Sequence, residues 1–344
     1  MVVSALERHE IIAVEEATGA VRWRYFTGGK VDSPPTLASG MAVFGCDDGH
    51  VYAVRLADGE LVWRFCAAPT DGLAMLHGHL ASAYPVPGSV LVLGNTVIAV
   101  AGVHTDVGGL HVWALDLLRG TPTARRLLST DLPPALSNNL AVADADGRGF
   151  WIVSPPGGSY GAGGGYHLSL DLQDIPYTDS MPGPAMSFDR NGSRVRFRTE
   201  SGRGGSTHGW KGAMRAGGFH RLSGHRVAVG DDIGLGLNDP TGRAPNTVWA
   251  YFDRGRNAQP QWQLSRTELN DVESLGALAL AGDQIIVAGG KRDGSKGRLF
   301  VIDRKGSVVR ERTLAARVTE CGLACANGSI YVSCEDGSLH RFGS

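Results

Sequence analysis

Short apolar runs alternate with polar turns along this chain from one end to the other. The clearest unit runs from Met41 to Trp63 (MAVFGCDDGHVYAVRLADGELVW). It reads as an apolar run, an Asp-Asp-Gly turn, a second alternating run, an Asp-Gly turn, and a strand carrying tryptophan. Its second half is echoed by Ile11 to Trp23 (IIAVEEATGAVRW) and its first half by Ile330 to Phe342 (IYVSCEDGSLHRF). Period-two alternation over short runs bounded by Gly, Asp and Asn predicts β-strands, and helix-period stretches are essentially absent. A unit of about 40 residues built only of short strands and glycine turns predicts a propeller blade. The expected fold is all-β: a β-propeller of seven blades, each of four antiparallel strands, with six or eight blades as alternatives.

Residues 30–66 form the best-defined blade, with strands over Ser33–Ala38, Met41–Cys46, His50–Leu56 and Leu61–Phe65. Further blades are predicted over 83–129, 136–172, 212–264 and 274–314, and 320–342 supplies three more strands. Residues 173–205 read as a degenerate blade or an insertion, because SRVRFRTE alternates without a turn-rich partner. Residues 1–344 are expected to make a single propeller domain whose N- and C-terminal strands close one blade, since an open ring leaves unpaired edges.

Composition narrows the partners. The 344 residues include 49 glycines, and the net charge is −1 with both signs interspersed. No basic stripe supports a nucleic-acid partner. The apolar runs are too short to predict a membrane span. MVVSALERHEII lacks a basic n-region and a cleavage site, so no signal peptide is expected and the compartment is left unknown. The chain opens almost within a strand, consistent with one part of a longer parent chain carrying other domains. The five cysteines form no CxxC pair; Cys46 and Cys334 occupy equivalent repeat positions and are read as core packing.

The phrases AVEEATGAVRWRY, SPPTLASGMAVFGCDDGHVYAVRLADGELVWRF and LHVWALDLLRG resemble the pyrroloquinoline-quinone-like repeat propellers. That superfamily includes quinoprotein alcohol dehydrogenases and outer-membrane assembly lipoproteins. SAYPVPGSVLVLGNTVIAVAGVHTDVGGLHVWALD and LACANGSIYVSCEDGSLHRFG look like a subgroup of large bacterial proteins that carry this propeller within a longer chain. The resemblance covers most of the sequence and is weakest over 155–205. It implies the fold. The redox branch would need a quinone, a calcium site, a catalytic Asp and, in many members, adjacent cysteines. This chain has no Cys-Cys pair, so PQQ is not expected, and Trp23 and Trp63 are read as packing between blades.

Chemistry is expected in the turns that lead into innermost strands and those between second and third strands, which share one face around the propeller channel. His77, His79, His104 and His208 fall in this set and are the candidate ligands of a divalent ion, zinc or similar. His77-Gly-His79 would place two imidazoles on one side of an extended segment. Such an ion would supply hydroxide for attack on a small ester, lactone or phosphoester. Asp32, Glu273 and Glu320 recur just ahead of innermost strands and are the candidate general bases or further ligands. Lys211, or alternatively Lys30, is the candidate oxyanion stabiliser. The predicted function is thus a metal-assisted hydrolase with a small-molecule substrate at the channel mouth. The alternative is a non-catalytic propeller that binds a ligand or protein as a module of a larger protein. Asp47, Asp48, Glu335 and Asp336 are assigned to turn formation first, because Asp bonds its own backbone and Gly supplies positive φ.

Overall fold

The computed structural model describes all residues except 77, 88, 104–106, 130–140, 144–148, 154–164, 176–184, 189–193, 199–212, 217–218, 223–225, 230–231, 238–246, 253–259, 266, 271 and 344. Strands dominate, and one 3-10 turn (Leu6–Arg8) interrupts them. Among the described residues, eight antiparallel sheets of three or four strands follow one another in sequence order, with one two-stranded hairpin between the second and third. This is a β-propeller's blade succession, at the upper end of the expected six to eight. No described helix is long and apolar enough to cross a membrane.

The described residues group into two compact units, 1–185 and 186–344. In the first, the second sheet (Thr36–Ala38, Met41–Gly45, His50–Arg55, Leu61–Cys66) shows how sequence dictates packing. All five residues of Met41–Gly45 are buried, because both faces of the strand are covered. Ala42 and Phe44 join Ile11, Trp23 and Tyr52 on one side, while Met41 and Val43 join Val97, Ala99 and Leu115 on the other. Alternate residues point to opposite faces, so a strand covered on both sides reads as a continuous apolar run.

Tryptophans on the outermost strands of three sheets tie each of those sheets to the next. Trp23 Nε1–H donates to the Leu56 carbonyl (2.9 Å), and Trp63 Nε1–H donates to the Leu117 carbonyl (2.8 Å). The packing role expected for these two residues is what the structure shows. In the second unit Trp262 does the same to the Arg304 carbonyl at 2.8 Å. A β-bulge recurs where each of the first two meets its neighbour, at Ala13/Val14 and Ala53/Val54.

Two sequence expectations change. Ala213–Ala216 and Phe219–Leu222, expected in one blade with the strands up to 264, stand instead with Ala185–Phe188 and Arg194–Arg198 in one four-stranded sheet. The residues behind Asp232 include the strand Gly234–Leu237, paired on both sides with Arg226–Val229 and Val248–Tyr251. Ile233, Leu235 and Leu237 are buried there while glycines occupy the alternate positions, which hides the strand from a hydrophobicity pattern. His79, expected in a turn that leads into an innermost strand, lies in the hairpin Leu73–Leu76/His79–Ser82. At the ends of the chain, Val2–Ala5 pairs with Glu10–Val14 and Leu339–Gly343 with Ser329–Cys334, each terminal sheet having three strands.

Candidate functional site

The Cys46–Gly49 turn gathers most of the polar chemistry of the first unit. Asp48 Oδ1 accepts the His50 backbone N–H (3.0 Å), and its Oδ2 accepts the Tyr52 hydroxyl (2.5 Å). Burial alone would raise the Asp48 pKa, but hydrogen bonds from His50, Tyr52 and Cys46 together outweigh it and hold the carboxyl at about 2. The same contact raises the His50 pKa, against the opposing effect of burial. Burial pushes the Tyr52 phenol and the Cys46 thiol upward, which leaves both protonated and unreactive at neutral pH.

Asp47 is buried and its Oδ2 lies 2.9 Å from His79 Nε2. The backbone around it is clasped from both sides. Asp47 N–H donates to the Lys30 carbonyl (2.9 Å), Ser82 N–H donates to the Asp47 carbonyl (2.8 Å), and Val86 N–H donates to the Cys46 carbonyl (3.0 Å). The aspartates of this turn therefore hold the hairpin and the neighbouring segments to the blade. The second copy of the phrase behaves alike. Glu335 Oε1 accepts Arg317 Nε (2.7 Å), and Asp336 Oδ1 accepts the Ser338 N–H (2.9 Å). The assignment of these four acids to the fold is what the geometry shows.

The proposed ligand set is only partly visible. His77, His104, His208 and Lys211 lie outside the described residues. His79 sits on the hairpin's second strand with its Nε2 2.9 Å from Asp47 Oδ2. Asp32 is exposed, in the segment before Thr36–Ala38. Glu273 receives Lys291 Nζ and the Arg292 N–H, each at 3.1 Å. Glu320 lies on the strand Val318–Ala326. Among the described residues no three His, Cys, Asp or Glu side chains come together as a metal site. His111 and His167, on strands, are buried, and burial with Arg125 nearby lowers the His111 pKa.

What sequence reasoning missed is apolar. Met75 and Leu80 face each other across the hairpin, and Leu73 lies two residues from Met75 on the same side. All three are exposed, at 65%, 70% and 62% for Leu73, Met75 and Leu80. The other side carries Ala81, which is buried, and His79, which is anchored to Asp47. A hairpin with an anchored inner side and an apolar outer side is a surface built to be covered. The signal was present in LAMLHGHLAS as large apolar residues at 73, 75 and 80.

Residues 1–136 match the family described as outer membrane protein assembly factor BamB. The BamB of Moranella endobia (strain PCIT) is 32% identical over 113 residues, which is 31% of this chain and 26% of that relative. The match thus spans about a quarter of the relative's length. Over this N-terminal part the chain is similar to the PQQ-like repeat propellers. Solved structures extend the likeness of fold. BamB from Moraxella catarrhalis superposes with a TM-score of 0.59 at 15% identity, covering 100% of this chain and 96% of that one. The computationally designed Ika8 protein gives 0.63 at 17% identity, covering 100% and 92%. The quinohemoprotein alcohol dehydrogenase of Comamonas testosteroni gives 0.60 at 14%, covering 97% and 68%. A PQQ-like repeat propeller that held a quinone would need open aromatic faces. Trp23, Trp63 and Trp262 are committed between sheets, and Trp113 lies between Phe65 and Arg125 with its Nε1–H on the Ala67 carbonyl. These four indoles do not fit a quinone sandwich.

Proposed function

We propose that this chain is a non-catalytic protein-binding propeller, and that its partner contacts the outer side of the Leu73–Ser82 hairpin. One observation carries the reading: three large apolar side chains stand exposed together on an element that the contact of His79 with the buried Asp47 fixes to the blade. A single exposed leucine is ordinary, but an apolar cluster on a held hairpin costs solubility unless something covers it. The family match supports the same class, since the matched family is described as an assembly factor. The comparisons favour this reading over the metal-assisted hydrolase. In the described part of the expected centre, the polar groups are spent on one another: His79 on Asp47, His50 on Asp48, Glu273 on Lys291.

The test is site-specific photo-crosslinking from position 80 in the native host. The reading predicts a discrete crosslinked protein that disappears when Leu73 and Met75 are changed to Ser. Absence of any discrete product, or one indifferent to those substitutions, would remove the hairpin from the interface.

A further inference from the structure

A second surface, in the other unit, is distinct from the hairpin. A cleft of about 720 Å³ opens between the seventh sheet, ending in Val308–Leu314, and the eighth (Val318–Ala326, Ser329–Cys334, Leu339–Gly343). Ile286, Val301 and Phe342 contribute its apolar lining, and Arg310, Arg312 and Arg341 its charge.

Repeat geometry explains why space remains here. Trp63 pairs with Ala53 beside the bulge at Ala53/Val54. Arg310 pairs with Val301 beside the bulge at Val301/Ile302. Arg310 therefore stands where the repeat places its indole, and it is exposed, making no ion pair with any described residue. The wedge that Trp23 and Trp63 fill elsewhere lacks its filler. Beside it, Leu339–Gly343 is the last strand of a three-stranded sheet, with its outer edge unpaired among the described strands. In the second sheet the equivalent edge of His50–Arg55 carries a fourth strand, Leu61–Cys66.

Charge selects the occupant. Three arginines line the cleft against one glutamate, and that residue, Glu311, is already held by Arg298 and Asn270 at 2.5 Å each. Arg341 Nε donates to Ser329 Oγ (3.1 Å) and Arg312 Nη1 to the Glu311 carbonyl (2.9 Å), bonds that leave further guanidinium donors for a ligand. An unpaired strand edge recognises extended backbone, and a neighbouring pocket selects the side chain. We propose that this cleft binds an extended acidic polypeptide segment as a fourth strand on Leu339–Gly343, with one large apolar side chain in the wedge the indole leaves empty. The inference rests on the binding-module reading for the class of partner, but not on the hairpin.

The probe is a short fluorescein-labelled peptide of alternating Thr and Glu with one central Trp, titrated against the full chain by fluorescence anisotropy. Saturable, salt-weakened binding is expected, with amide protection appearing at Leu339–Gly343 in hydrogen exchange. Arg310→Glu with Arg341→Glu weakens it at least about tenfold. Arg310→Trp, which restores the repeat's indole, does the same by occupying the wedge. Circular dichroism establishes that both variants fold. Leu73→Ser, Met75→Ser and Leu80→Ser leave binding unchanged, so loss of the hairpin interface and loss of this site are separately visible. No saturable binding, equal binding of the Lys-for-Glu peptide, indifference to the arginine substitutions, or binding without protection of Leu339–Gly343 would overturn the proposal.

Discussion

The indole of Trp63 lies directly on Gly120: a methyl group placed on that glycine would sit 2.5 Å from Trp63 Cδ2. Gly120 also has φ +67°, a left-handed backbone that glycine adopts without a Cβ penalty. Trp23 stands in the same relation to Gly59, and Trp262 to Gly306. Each aromatic ring needs a bare turn to land on, which couples the tryptophan of one repeat to the Asp-Gly or similar turn of the next. Gly120→Ala is therefore expected to cost about 2–4 kcal/mol, from backbone strain and overpacking together. Trp63→Phe, which removes the Nε1–H bond to Leu117, should cost about 1–2 kcal/mol from the lost hydrogen bond and the smaller ring. Denaturant unfolding of the two variants checks both values.

The Asp47–His79 contact is the hairpin's anchor. His79→Ala is expected to speed hydrogen exchange of the Leu73–Ser82 amides while leaving protection of Met41–Gly45 unchanged, because local opening does not require the core to unfold. Uniform loss of protection across both segments would mean that the pair supports the whole blade.

Acid stability follows from Asp48. Its carboxyl is held at about 2, below the ordinary aspartate value of 3.8, so its contribution is fully present above pH 3.8 and is lost as pH falls toward 2. Asp48→Asn should lower stability at pH 7 by about 1–2 kcal/mol after allowing for solvent screening, and flatten the acid limb of the melting curve. His50 runs the other way. Its raised pKa gives stability present below 6.5 and lost as pH rises through the folded value. Melting temperature against pH for wild type, Asp48→Asn and His50→Gln separates the two limbs.

Glu10 is only 2% exposed, with Arg24 Nη1 at 2.9 Å and Arg8 Nη1 at 3.4 Å from its Oε1. Arg24→Ala leaves that carboxylate poorly compensated and should cost about 2–4 kcal/mol. Arg8→Ala, at a longer distance from a more exposed guanidinium, should cost under about 1 kcal/mol. Thermal denaturation of the pair of variants ranks them.

Strands with two covered faces or clean alternation were legible, as in Met41–Gly45 and Gly297–Ile302. Gly234–Leu237 was not, because glycine at every second position gives alternation no polar partner to contrast with leucine. Trp262 was missed as a repeat tryptophan because FDRGRNAQPQW puts no Asp-Gly or Thr-Gly turn four residues ahead of it, where LADGELVW and EEATGAVRW have one. The acids of the candidate site were visible as residue types, but composition cannot say which charges are spent. Asp47 and Glu273 look alike in sequence to catalytic carboxylates, and only the positions of His79 and Lys291 show what holds them. The hairpin's outer side was hidden by the prominence of two histidines flanking Gly78, whose φ of +85° makes it a hairpin turn.

The most direct measurement sets binding against catalysis. Purified protein, once stripped with chelator and once loaded with zinc, is assayed on activated carboxylic and phosphoric esters beside the His79→Ala variant. The account predicts no turnover above buffer in any sample. Zinc-dependent turnover that His79→Ala abolishes would contradict it and restore the hydrolase.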